Sequence, residues 1–228
     1  MRALLLAAGL GTRLRPLTNE LPKCLVPIKG QPLLGIWLER LTYAGIGPFL
    51  INTHYLTEKV EAYMASSPYR HQVNLVNETE LLGTAGTLIE NLHFFDNEDG
   101  MLIHADNYCM ADFKAFQEAH SRRPKECLLT MMTFRTLDPL SCGVVELNKR
   151  GVVTGFHEKV DRPISDLANG AVYILSKELL SILQTEFTNA TDFSTEVVGK
   201  LVGRVYSYET SELFLDIGTT KGYEKANI

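Results

Sequence analysis

Short apolar runs and amphipathic segments alternate along the first half of the chain. Residues 3–6, 49–53, 73–76 and 101–104 are almost uninterruptedly apolar, the pattern of strands buried on both faces. Between them, residues 33–43, 58–64, 85–92 and 111–120 repeat their apolar positions at helical spacing. Buried strands separated by helices of about ten residues predict βαβ units and a mostly parallel sheet. Beyond residue 125 the rhythm becomes strand-rich, with runs at 127–134, 143–146, 152–158 and 171–175. Asn148-Lys149-Arg150-Gly151 reads as the hairpin turn between two of these runs. Short helices near 177–183 and 192–201, then two final strands, complete the pattern. The expected class is α/β and Rossmann-like, a mixed, mostly parallel sheet flanked by helices. No linker, repeat or low-complexity tract interrupts it.

Composition narrows the functional classes. The 228 residues suit one α/β domain large enough to bury a full core. A net charge of −5 argues against a nucleic-acid partner, and no apolar stretch reaches the roughly 18 residues that would suggest a membrane span. Cys24, Cys109, Cys127 and Cys142 are scattered without a C-x-x-C pair, as expected of thiols in a reducing cytoplasm. The apolar run at 3–8 is too short for a secretory signal, and arginines follow where a cleavage segment of small residues should stand.

One segment departs from this acidic background. Within the first 30 residues Arg2, Arg13, Arg15, Lys23 and Lys29 face a single acid, Glu20. The first strand empties into a loop bearing Gly9 and Gly11, which permit sharp turning and close approach to a ligand. Open loop N–H groups beside guanidinium groups form a seat for phosphate oxygens. Leu14 stands where a dinucleotide fingerprint needs its third glycine, and Lys23 lacks the flanking residues of a P-loop. The ligand expected here is a polyphosphate.

The full string Gly9-x-Gly11-Thr12-Arg13-Leu14-Arg15-Pro16-Leu17-Thr18, followed by Pro22-Lys23, resembles the signature of sugar-1-phosphate nucleotidyltransferases, also called NDP-sugar pyrophosphorylases. The resemblance runs nearly end to end and is nearest in look to short bacterial mannose-1-phosphate and heptose-1-phosphate guanylyltransferases. It implies a GT-A-like single domain without a C-terminal β-helix, with a nucleotide-binding half over about 1–125 and a sugar-binding half over about 126–228. The implied reaction joins an NTP to a sugar 1-phosphate with release of pyrophosphate, in the cytoplasm, with Mg²⁺ as cofactor. A homodimer is left open. Four positions depart from the family pattern: Ala8, Cys24, Ala105 and Val160.

The site residues follow from both arguments. Leu6, Ala7, Ala8, Gly9, Gly11, Thr12 and Arg13 are expected to cradle the nucleotide. Arg13, which can grip phosphate oxygens bidentately, is the candidate for the leaving pyrophosphate. Lys23 is the candidate cation between the α-phosphate and the attacking sugar phosphate, and Arg15 a brace for the loop. Asp106 closes the apolar run at 101–105, at the sheet edge where α/β ligands gather. With Asp216, in Phe214-Leu215-Asp216-Ile217-Gly218-Thr219, it resembles the two metal motifs of the family, and two carboxylates suit Mg²⁺.

Gly83-Thr84-Ala85-Gly86 resembles the family's base-reading segment in the form associated with guanylyltransferases, which favours GTP; Thr84 also reads as a helix N-cap. Glu158 and Lys159 resemble the pair that holds sugar hydroxyls and sugar phosphate, and Asn169 a further sugar contact. Asn52 is a weaker sugar candidate, and Asp192 is as well suited to cap a helix as to meet a sugar. His54, His104 and His157 read as polar edge residues, because an ionised phosphate attacks without a general base.

Overall fold

In the computed structural model, which describes residues 1–228, thirteen strands and six α-helices follow one another in chain order. β1 (Arg2–Leu6) leads through a loop to the small hairpin β2 (Pro27–Ile28) and β3 (Gln31–Pro32). Then come α1 (Leu33–Tyr43), β4 (Phe49–Thr53), α2 (Thr57–Ser66), β5 (Val73–Asn77), α3 (Gly83–Glu90), β6 (Gly100–His104), β7 (Asn107–Cys109) and α4 (Phe113–Ser121). The remainder comprises β8 (Leu129–Arg135), β9 (Gly143–Leu147), β10 (Val153–Glu158), β11 (Leu167–Leu175), α5 (Lys177–Glu186), β12 (Val205–Glu209), β13 (Phe214–Asp216) and α6 (Thr220–Asn227).

The chain forms two compact units. One holds residues Met1–Leu81, Ile103–Ala111 and Glu212–Ile228; the other holds Leu82–Leu102 and Asp112–Ser211. In the first, β1 pairs in parallel with β4 and β4 with β5, Leu5 facing Ile51 and Ile51 facing Leu75. All five residues of β4 are buried, which is why its sequence is apolar without alternation. In the second, β8 and β11 are antiparallel, β9 joins β10 in the expected hairpin, and β12 adds to β8 in parallel. This is the α/β, Rossmann-like mixed sheet that the alternation of strands and helices predicts. No helix is long and apolar enough to cross a membrane.

Helix α1 shows how the sequence builds the first unit. Leu34, Trp37, Leu38 and Leu41 recur at helical spacing and are buried together with Leu33 and Ile36. Burying each such side chain contributes about 1.5–3 kcal/mol. The helix stops where Gly45 takes φ +75° and Ile46 N–H bonds back to the Leu41 carbonyl. Its buried face also carries two polar anchors. Trp37 Nε1 donates to the Asn107 carbonyl at 2.9 Å, and Arg40 donates to the carbonyls of Met110 and Ala111 at 2.8 and 3.0 Å. The segment 107–111 therefore lies strapped to α1.

The elements depart from the sequence pattern in a few places, each for a local reason. β11 starts at Leu167 rather than near 171, because a bulge between Asn169 and Tyr173 lets the strand run through the polar pair Asn169-Gly170. The helix expected at 192–201 is a π-helical turn, Phe193–Val198, followed by a 3₁₀ turn, Gly199–Leu201. α6 lies beyond the expected elements because it is mostly polar and buries Ala226 alone.

A buried polar cluster in the second unit makes stability depend on acidity. His120 is 3% exposed; its Nδ1 lies 2.8 Å from Thr130 Oγ1 and its Nε2 3.4 Å from Asp99 Oδ2. Burial drives its pKa below the ordinary 6.5, outweighing the pull of Asp99, and Arg123 acts in the same direction as burial. The unfolded chain then binds a proton that the folded chain resists, so stability falls as pH drops below about 6.5. Urea unfolding at stepped pH should show a loss of up to about 1.4 kcal/mol per pH unit in this range. His120→Gln should flatten that slope, and an unchanged slope would count against this origin.

Candidate active site

The loop after β1 is shaped by its neighbours in the first unit. Ala7 N–H donates to Asn52 Oδ1 at 2.7 Å, and Ala7 and Ala8 are buried. Ala8 keeps an ordinary negative φ, so alanine is accommodated there without strain. Of the two glycines, Gly11 alone has a left-handed backbone, φ +61°. A Cβ on it would also stand 3.0 Å from Thr18 Cγ2 and 3.2 Å from Lys23 Cβ. Gly9 has open space around it and no such φ, so the expectation that both glycines turn the chain holds for Gly11 alone. Thr18 Oγ1 donates to the Gly11 carbonyl at 2.7 Å, and Tyr55 OH reaches the carbonyls of Thr18 and Asn19 at 3.0 Å each. A 3₁₀ turn, Thr12–Leu14, buries Leu14 and leaves Thr12, Arg13 and Arg15 exposed. The loop is anchored at its apolar residue and presents its cations outward.

Lys23 behaves differently from the arginines. It is 6% exposed, and its Nζ donates to Asp106 Oδ2 at 2.8 Å. A buried ammonium is costly unless paired, so this contact fixes both partners. Burial works against the Asp106 carboxylate, but the charges of Lys23 and His104 and the Lys23 hydrogen bond outweigh it. The Asp106 pKa therefore lies below the ordinary carboxylate value.

Asp216 reaches the same place through a short ladder. β13 pairs antiparallel with β7, and Asp216 stands opposite Asn107, the residue after Asp106. Asp216 Oδ1 accepts the Gly218 N–H at 2.6 Å. The Cβ that Gly218 lacks would lie 2.7 Å from both Asp216 Oδ1 and an Arg13 guanidinium nitrogen. Arg13, Lys23, Asp106 and Asp216, more than 200 residues apart at the extremes, thus converge in one unit. Nowhere do three His, Cys, Asp or Glu side chains form a closed metal cage. A carboxylate in the turn before β7 and another at the end of the neighbouring β13 fit a hard divalent cation that draws its other ligands from phosphate and water, as Mg²⁺ does.

Most of the remaining candidates lie in the second unit. Gly83, φ +78°, leaves room for the Thr191 carbonyl, which a Cβ would strike. That carbonyl accepts the Ala85 N–H at 3.0 Å, and Thr84 Oγ1 accepts the Phe193 N–H at 2.8 Å. Thr84 therefore does not cap its own helix; its hydroxyl is engaged by a residue 109 positions away. Gly86 packs against Leu82, a Cβ falling 3.2 Å from the Leu82 Cβ. Glu196 fastens the other side, accepting from Thr191 N at 2.6 Å and Asp192 N at 2.8 Å. Those N–H groups, Asp192 first, hold its carboxyl below the usual range. Asp192 caps the π-turn through Thr195 N at 2.7 Å, the structural role the sequence allowed.

Glu158 closes β10 opposite Gly143, and its carboxylate occupies the space a Cβ at 143 would take. Lys159 follows in a left-handed conformation, φ +48°, its Nζ 3.6 Å from Glu158 Oε1. Asn169 lies on the other side of β9, one residue beyond the Ala168–Val144 pair. Its Oδ1 accepts the Ala171 N–H at 2.9 Å and its Nδ2 donates to Tyr173 OH at 2.7 Å. Burial pushes the Tyr173 phenol up to about 12, so it stays protonated as partner to Asn169. Glu158 and Asn169 thus flank Gly143, the Asn169 amide held by its two hydrogen bonds. His157 pairs with Glu146 at 3.0 Å, and His54 Nδ1 lies 2.8 Å from the Glu78 carbonyl. Asn52, the weak sugar candidate, is 3% exposed with its amide engaged by Ala7 and Glu78.

The model of the Nucleotidyl transferase family matches residues 2–228. The chain belongs to that family. The Drosophila melanogaster mannose-1-phosphate guanylyltransferase catalytic subunit beta is 30% identical to this nucleotidyl transferase, over 97% of this chain and 60% of the fly protein. The chain thus spans about three fifths of the length of that relative. HddC from Yersinia pseudotuberculosis, solved in complex with GMP-PN, superposes with a TM-score of 0.82 at 26% identity, covering 99% of this chain and 97% of that one. A UDP-glucose pyrophosphorylase complexed with UDP-glucose shares the fold, with a TM-score of 0.81 at 23% identity, 99% of this chain and 96% of that one.

Gly143 escapes sequence reasoning, and Gly218 is legible there only as part of the Asp216 motif. Charged side chains occupy the Cβ position of each, Glu158 at Gly143 and both Arg13 and Asp216 at Gly218. Gly218→Ala should displace Arg13 and Asp216 and lower by roughly 10²-fold the rate of the nucleotidyl transfer proposed for this site, the scale of an ångström of misplacement. The melting temperature should move by less than about 4 °C. Wild-type turnover in a folded Gly218→Ala protein would contradict this placement.

Proposed function

We propose that this chain transfers a nucleotidyl group from an NTP, GTP by preference, to a sugar 1-phosphate of the mannose or heptose type, releasing pyrophosphate. The observation that carries the reading is the meeting of Arg13, Lys23, Asp106 and Asp216 beside the glycine loop. An ionised oxygen of the sugar phosphate attacks the α-phosphorus in line; the new P–O bond forms as the bond to pyrophosphate breaks, and no proton need be removed. Such a reaction depends on positioning and charge neutralisation, which cations supply.

Leu6, Ala7, Ala8, Gly9, Gly11 and Thr12 form the cradle for the triphosphate, and exposed Arg13 neutralises the leaving pyrophosphate. Lys23, buried against Asp106, presents its charge to the α-phosphate. Asp106 and Asp216 would hold the magnesium ion, which when bound offsets negative charge on the phosphate oxygens. Gly83, Thr84, Ala85 and Gly86 serve the base. Glu158 and Asn169 accept and donate to sugar hydroxyls, and Lys159 takes the sugar phosphate. The names of the fly relative and the GMP-PN complex of HddC support guanine and, for the former, mannose. A thymidylyl transfer to glucose 1-phosphate, or a uridylyl or cytidylyl transfer to another sugar phosphate, is the alternative, and the UDP-glucose pyrophosphorylase fold is compatible with it. Four free thiols, three of them buried, suit a cytoplasmic setting.

A panel of GTP, dTTP, UTP and CTP against mannose, heptose and glucose 1-phosphates tests the reading through pyrophosphate release. GTP with a mannose-type phosphate should be fastest, and chelation by EDTA should abolish turnover. Release with no pair in the presence of Mg²⁺ would end the proposal.

A further inference from the structure

The three strand ends at the C-terminal edge of the first unit's sheet are joined sideways by buried polar groups. The backbone ladder between β1 and β4 runs to the pair Leu6–Asn52. One residue further, a side chain takes over: Asn52 Oδ1 accepts the Ala7 N–H at 2.7 Å. Asn52 Nδ2 in turn donates to Glu78 Oε1 at 2.9 Å, just beyond β5. Asn52 and Glu78 are 3% and 7% exposed. Glu78 is pinned by its own backbone, its N–H donating to the Thr53 carbonyl at 2.8 Å and its carbonyl lying 2.8 Å from His54 Nδ1. On the opposite side of β1, Ala105 N–H donates to the Leu6 carbonyl at 3.1 Å. The chain leaving β1 is therefore tied on both flanks, once beside Asp106 and once through the Asn52–Glu78 pair.

We infer that Asn52 and Glu78 are positioning residues for the phosphate loop: Glu78 orients the Asn52 amide, which fixes the Ala7 N–H and hence the course of Ala7 to Gly11. A carboxylate accepts hydrogen bonds and donates none, so it selects one of the two amide orientations, the one with the carbonyl oxygen towards Ala7. A buried N–H requires such a partner, and a buried side-chain network fixes geometry when every member is satisfied. This rests on the proposal that residues 6–13 hold an NTP.

The test is equilibrium binding of GTP and, separately, of mannose 1-phosphate, with melting temperatures alongside. Asn52→Asp keeps the acceptor for Ala7 but sets two carboxylates against each other; GTP binding should weaken about tenfold or more, the scale of one lost charged hydrogen bond. Glu78→Gln still offers an acceptor oxygen and should stay within about threefold of the wild type. The double variant Asn52→Asp, Glu78→Gln reverses the donor and acceptor between the pair, and should restore GTP binding to within about threefold. Mannose 1-phosphate binding should stay constant throughout. Failure of the double variant to rescue, or equal weakening of both ligands, would overturn the inference. A wild-type protein that binds mannose 1-phosphate but no NTP would overturn it together with the nucleotide reading, whereas NTP binding untouched by Asn52→Asp would overturn this inference alone.

Discussion

The contact on which the site depends is the ion pair between Lys23 and Asp106. An ammonium buried to 6% exposure has few places to go, and at 2.8 Å the carboxylate is both its counter-charge and its hydrogen-bond acceptor. Removing Asp106 would leave the buried Lys23 ammonium without its counter-charge, the costly half of such a pair to lose. The surrounding structure supports the pair from each side. Trp37 and Arg40 of α1 hold the carbonyls of Asn107, Met110 and Ala111, which keeps the residue after Asp106 in place. The β7–β13 ladder then brings Asp216 alongside, and Gly11 lets the loop after β1 pack against the Lys23 stem.

Glycine has a second use here besides conformational freedom. At Gly143 and Gly218 the backbone does not need a positive φ; what matters is the absent Cβ, whose place is taken by Glu158 or shared by Arg13 and Asp216. Close approach of a charged group to bare backbone offers it N–H partners, as Asp216 finds at Gly218. In each half of the molecule a strand or loop glycine thus sets the stance of a proposed ligand-binding side chain.

Much of this was legible in the sequence. Leu33–Tyr43 and Phe49–Thr53 fall where the apolar spacing puts them, because helical periodicity and full burial leave strong local patterns. The loop cations and the two aspartates were visible as charge in unusual places. What stayed hidden depends on partners remote in sequence. Thr84 reads as a cap until Phe193 claims its hydroxyl. Asn169 looks free until the bulge of β11 turns it onto Tyr173. Asn52 looks like a ligand contact until Ala7 and Glu78 engage it. α6 has too few apolar residues to stand out, only Ala226 being buried, and its place comes from tertiary ties such as Tyr223 OH to the Pro27 carbonyl at 2.9 Å.

The most direct measurement is a double-mutant cycle on pyrophosphate release with Lys23→Gln, Asp106→Asn and the two combined. If the pair works as one unit, each single change should lower the rate by about 10²–10³-fold, and the double change should cost little more than the worse single one. Losses that simply multiply would show Lys23 and Asp106 acting independently and contradict the account.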